Sequence, residues 1–154
     1  MEYVPPANPE KPLTVRIMAI DYGSRRIGLA VSDELGITAQ GLPTLHRTNK
    51  RNDFDQLRRT IKQHAIGEIV VGLPLRMSGE TGIQSDKVEE FAEELRKRFK
   101  LPVHLFDERL TSVEANRLLD ETSISDRRRK EVVDQIATVL ILEAFLGFRA
   151  AQRN

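Results

Sequence analysis

Apolar residues fall in short β-branched runs over the first third of the chain and at helical spacing further on. Val15 to Ile20 is one such run, ending at Asp21, and Ile27 to Val31 is a second; Gly23 and Gly28 bracket the turn between them, which predicts a β-hairpin. Gly36 to Pro43 predicts a third strand, running out into the basic, polar stretch His46 to Asn52. Phe54, Leu57 and Ile61 then mark a helix, and Glu68 to Gly72 a short strand with a β-branched centre. Val88, Phe91, Ala92, Leu95 and Phe99 line one face of a long helix, and Val103 to Phe106 is the last strand. Two more helices follow, the second from about Arg127 to Phe148. A hairpin-led set of strands followed by strands separated by helices predicts a three-layer α/β domain. Its five-stranded mixed sheet has later strands that are parallel, with helices on both faces.

In such sheets the chemistry gathers at the carboxyl ends of the strands. Asp21, Gly72-Leu73-Pro74 and Asp107-Glu108-Arg109 all fall there. A carboxylate at the end of a rigid apolar strand is costly to desolvate unless a cation meets it, which makes Asp21 a candidate metal ligand; the alternative is a turn cap. Asp107 and Glu108 point to opposite faces of their strand, so only one joins Asp21, and the longer Glu108 is the candidate. Thr111 and Glu114 have capping-box spacing and read as structural. Asp134 heads the stripe Ala137, Thr138, Ile141 and Phe145, so it faces the sheet; a helix-dipole role is its alternative. Three acids from three elements suit Mg²⁺ or Mn²⁺. Two such ions about 3.5 to 4 Å apart would activate water and stabilise the leaving oxygen of a phosphodiester.

Composition removes competing chemistries. Among 154 residues there is no cysteine, which excludes disulfides, thiolate metal sites and cysteine nucleophiles and suits a cytoplasmic setting. No apolar stretch is long enough for a membrane span, and a net charge of +1 means that nucleic-acid binding must come from local patches. Arg127-Arg128-Arg129-Lys130 opposes the dipole of its own helix start and so calls for an anionic partner, although such runs are also simply solvated. With Arg25, Arg26, Arg47, Lys50 and Arg51 it would frame a phosphate track, and Arg109 would either grip a phosphate or pair with an acid. His64 and His104 read as structural, while His46 sits in the basic stretch. Glu93 with Lys97 and Glu94 with Arg98 have the spacing of solvated helix pairs. Met77 to Gly82 reads as a loop beside the site, and the proline-rich residues 1–14 as a mobile tail before a domain spanning 15–154.

Asp21-Tyr22-Gly23 with Gly28, Ala30-Val31-Ser32-Asp33, Gly72-Leu73-Pro74-Leu75, Asp107-Glu108-Arg109-Leu110-Thr111 and Val133-Asp134-Gln135-Ile136-Ala137 follow one another in an order and spacing that closely resembles the YqgF (RuvX) family. Those proteins are ribonuclease H-like and are described as Holliday junction resolvases and as nucleases of pre-16S ribosomal RNA. The resemblance runs from about Arg16 to Leu146, with Thr138 standing where a small alanine is usual. It implies a ribonuclease H-like fold and a metal-dependent nuclease, with Asp21, Glu108 and Asp134 on the family's acidic motifs. The implied partners are precursor rRNA or branched DNA and the ribosome, and the implied state is a monomer or homodimer. Two alternatives come from other classes. Asp21-x-Gly23 with Gly28 also looks like the phosphate-binding hairpin of the actin and sugar-kinase superfamily, an ATP-binding module. A ribosome-associated binding protein without catalysis is the second.

Overall fold

The computed structural model describes residues 15–73, 83–107 and 126–153, the side chains of 83–84, 126–127, 129–131 and 153 excepted. A five-stranded sheet is ordered β3-β2-β1-β4-β5. Its strands are β1 (Arg16–Tyr22), β2 (Arg26–Ser32), β3 (Ala39–His46), β4 (Ile66–Leu73) and β5 (Val103–Asp107). The first three are antiparallel, and β4 and β5 run parallel to β1, so Tyr22, Leu73 and Asp107 end at the same edge. Three described helices accompany them: α1 (Lys50–Gln63), α2 (Ile83–Phe99) and α3 (Asp126–Arg153).

Strand pleating sorts the core into two layers. Met18, Ile20, Ile27, Leu29, Val31, Ile69 and Val71 pack against Phe54 and Leu57 of α1 and Val88, Phe91, Ala92 and Leu95 of α2. Ile17, Ala19, Ala30 and Val70 face the other way, onto Ile141, Leu142, Phe145 and Leu146 of α3. The central strands are therefore covered on both sides, which is why their sequences are apolar runs without polar alternation. A residue with positive φ follows each of α1 and α2, Ala65 (52°) just after the His64 cap and Lys100 (57°) directly after Phe99, and there the chain turns towards the following strand.

Several expectations move. The third strand lies at Ala39–His46, not Gly36 to Pro43, because Asp33 Oδ1 accepts from the backbone N–H groups of Ile37 and Thr38 and holds them in the preceding turn. His46 is thereby a strand residue paired with Arg26, not part of a loop. Gly28 lies inside β2, opposite Asp21, and the turn is closed instead by the Gly23 N–H donating to the Arg26 carbonyl at 2.9 Å. Glu93 pairs with Arg96, three residues on, not with Lys97, whereas Glu94 takes Arg98 as the spacing predicts. The last helix runs to Arg153, beyond Phe148. Residues 1–14, Met77 to Gly82, and the capping box at Thr111 and Glu114 lie outside the described residues.

A polar cluster fastens the far end of α3. Arg149 grips Glu68 of β4 with both terminal nitrogens, at 2.8 and 2.6 Å, and the guanidinium lies 4.8 Å from the centre of the Phe145 ring. His104 of β5 meets the same carboxylate at 2.5 Å, a structural role as its strand position suggested. Burial pushes the Glu68 carboxyl up, but hydrogen bonds and charge from Arg149 and His104 outweigh it and hold the group below its ordinary value of 4.5. A depressed acid stabilises the fold above its unfolded value and ceases to do so as pH falls through the folded one. Glu68→Gln should therefore cost about 2 kcal/mol at neutral pH. The gap in urea midpoint between variant and wild type should close as the pH is taken below the ordinary value; a gap independent of pH would assign the cost to packing.

Candidate active site

Asp21 is next to last in β1 and lies directly opposite Gly28 of β2. Alternation from Ile17 and Ala19 turns it to the α3 face, whereas its neighbour Tyr22 joins the α1/α2 core. Gly28 decides how close α3 comes. A Cβ at that position would stand 2.2 Å from Thr138 Oγ1 and 2.9 Å from the Asp134 carbonyl oxygen, so the helix rests on the strand where no side chain intervenes. The Thr138 hydroxyl donates to that same carbonyl at 2.7 Å, which gives Thr138 a purpose its sequence position did not disclose. Gly41 of β3 repeats the arrangement against Gln135, whose amide donates to the Leu42 carbonyl at 3.2 Å. Two acids far apart in sequence, Asp21 and Asp134, are in this way brought to one face at one edge of the sheet.

Arg26, the first residue of β2, shares that face and donates its Nε to Asp134 Oδ2 at 2.5 Å. Its cross-strand partner is His46. A groove of about 290 Å³ opens beside them, lined by Pro43, Thr44, His46, Arg128, Val132 and Gln135. Arg25 is exposed at the hairpin tip. Arg47 is placed elsewhere: its guanidinium lies 4.6 Å from the Tyr22 ring centre, donates to the Gly23 carbonyl at 2.8 Å and approaches Asp53, so it clamps the turn from the α1/α2 side. Glu108 and Arg109 lie outside the described residues, as do the side chains of Arg127, Arg129 and Lys130. On β5, Phe106 packs with the α3 layer, which leaves Asp107 on the opposite face from Asp21.

Residues 15–147 match the family described as RuvX, Holliday junction resolvase. The chain belongs to the RuvX family. Among its relatives, a Koribacter versatilis protein is 59% identical over 139 residues, 90% of this chain and 91% of the relative. One from Thermoanaerobacter pseudethanolicus is 46% identical over 141 residues, 91% of this chain and 99% of the relative. Both carry the name "Putative pre-16S rRNA nuclease". A solved structure of Thermus thermophilus RuvC in complex with a Holliday junction substrate superposes with a TM-score of 0.55 at 12% identity, covering 89% of this chain and 96% of that one. That likeness is one of fold, and the fold is the ribonuclease H-like one expected from the sequence. Membership in the RuvX family makes the chain a nuclease, which the ATP-binding and non-catalytic alternatives are not.

Among the described residues, no three acids or histidines gather as a metal site. Asp21 and Asp134 supply two hard oxygen donors from different elements on one face, chemistry that fits Mg²⁺ or Mn²⁺. Sequence reasoning found both acids but missed Arg26 as the partner of Asp134. The usable signal was parity: Arg26, Gly28 and Ala30 alternate onto the face that carries Asp21.

Proposed function

We propose that the protein hydrolyses a phosphodiester bond in precursor 16S rRNA, with Asp21, Glu108 and Asp134 holding one or two divalent cations, Mg²⁺ or Mn²⁺. One observation carries the reading. Gly28 admits α3 to the strand end, so that Asp134 comes to the face of Asp21. Bound there, such ions supply a nucleophilic water and charge stabilisation at the leaving oxygen. The chain's own residues do the rest. His46 and Arg128 line the groove beside the acids, Arg26 lies across the strand pair from His46, and the three hold the backbone phosphates that flank the scissile bond. Arg25, Arg109, Arg127, Arg129 and Lys130 extend this track. A cytoplasmic protein meeting the ribosomal precursor fits this substrate, and among the described residues no helix is long and apolar enough to cross a membrane.

The family's description supports a second reading, resolution of a four-way DNA junction. That reaction cuts two strands related by a two-fold axis and so asks for a homodimer, whereas trimming an RNA end needs only one copy. Purified protein incubated with Mg²⁺ or Mn²⁺ should shorten a precursor rRNA fragment and leave mature rRNA intact. Paired nicks in a four-way junction by a dimer, with the precursor untouched, would replace the first reading by the second. No metal-dependent cleavage of either substrate would remove both.

The adjacent acids Asp107 and Glu108 give a sharper check. Glu108→Gln should abolish cleavage with little change in melting temperature. Asp107→Asn, on the face away from Asp21, should lower stability by roughly 1 to 3 kcal/mol while the folded fraction keeps cutting. The reverse pattern would make Asp107 the ligand.

A further inference from the structure

The Arg26–Asp134 pair differs in kind from the pair that fastens the other end of α3. Arg149 holds Glu68 through two nitrogens, and the carboxylate is only 14% exposed. Arg26 meets Asp134 through Nε, with side chains 29% and 24% exposed. Opening a partly hydrated pair costs far less than stranding a buried charge. Nor does the helix depend on it for position. Asp134 is already located through its backbone, whose carbonyl rests close on Gly28 of the neighbouring strand. The ion pair is thus a neutralising contact that can be exchanged.

We propose that Arg26 is an exchangeable counter-ion of the active site. It neutralises Asp134 while no metal is bound, gives up that carboxylate when a divalent cation takes it, and turns to the substrate phosphate. The inference rests on reading Asp21 and Asp134 as cation ligands. Without metal, two carboxylates on one face repel, and a guanidinium on one of them relieves the repulsion. A dication on the same carboxylate repels the guanidinium in turn, so the two cations compete for Asp134. Arg26 begins β2 at the edge of the sheet beside His46 and the groove, where a backbone phosphate would lie. A guanidinium carries five donors, of which Nε holds Asp134, and its fork matches a phosphate. The same side chain therefore has an anion to hold both before and after the metal arrives.

Competition predicts a sign that a purely orienting role does not. Calorimetric titration of the protein with Mn²⁺ alone should show Arg26→Gln binding the ion roughly tenfold more tightly than wild type. Arg26→Lys keeps the charge and should stay near wild type, and Arg26→Ala takes the place of the glutamine variant if that one fails to fold. With Ca²⁺ in place of the catalytic ion, so that substrate is not consumed, Arg26→Gln should bind the RNA fragment roughly tenfold more weakly. Equal or weaker Mn²⁺ binding by Arg26→Gln, beside a wild type that binds, would overturn the exchange and leave the metal site standing. Absence of Mn²⁺ binding by the wild type would instead remove the reading of Asp21 and Asp134, and the exchange with it.

Discussion

Asp21→Asn should reduce metal-dependent cleavage by more than about 10²-fold while the protein melts at or slightly above the wild-type temperature. The substitution keeps the shape of the side chain and the packing of Ile17, Ala19 and Ile20 along the same strand, and removes one charge from a face that also carries Asp134. Relieved repulsion offsets what is lost in the metal-free protein. Cleavage assays and thermal melts on the same preparation separate the outcomes. An active variant would exclude Asp21 from the chemistry, and one that unfolds would make it a turn cap.

The second large effect lies where no functional group is involved. Gly28→Ala places a methyl 2.2 Å from Thr138 Oγ1 and 2.9 Å from the Asp134 carbonyl oxygen. The hydroxyl can rotate away, but the carbonyl belongs to the helix backbone, so α3 must lift. Overpacking of this kind costs about 3 kcal/mol. Displacing Asp134 by even about 1 Å should lower cleavage on the order of 10²-fold. Adding Thr138→Ala removes the nearer clash and leaves the farther one, so the double variant should recover part of the stability and less of the activity. A Gly28→Ala protein with wild-type melting and cutting would show that α3 is not seated on this glycine.

What could be read from the chain follows from how local each determinant is. α1 and α2 announce themselves by one apolar face at helical period, and the β1–β2 hairpin, β4 and β5 as short apolar runs that turn residues or helices separate. Asp21 and Asp134 are legible as acids that break such patterns, one ending an apolar strand run and the other heading an apolar helix stripe. The third strand was displaced because Ile37 and Thr38 have strand-like side chains, whereas the Asp33 carboxylate claims their backbone N–H groups. Pro43 within it is tolerable because β3 is an edge strand. Contacts between residues distant in sequence were not readable at all. Arg26 and Asp134 are 108 positions apart, and Arg149 and Glu68 are 81 apart. Both pairs exist only because α3 packs across the sheet, from β2 and β3 near its start to β4 and β5 near its end.

That course of α3 bears on how accurately the candidate site is built. Asp134 and Arg149 are fifteen residues apart, about 22 Å along a helix that rises about 1.5 Å per residue. The rod is seated at two points: on Gly28 beside the acid, and on Glu68 and His104 at the far end of the sheet. Two supports that far apart fix a rod's tilt much more tightly than either alone, and the strands beneath them are buried on both faces. On the proposed reading of Asp21 and Asp134 as cation ligands, the acid is preorganised by contacts that include no ligand, so the fold meets the cost of aligning the carboxylates and substrate binding is spared it.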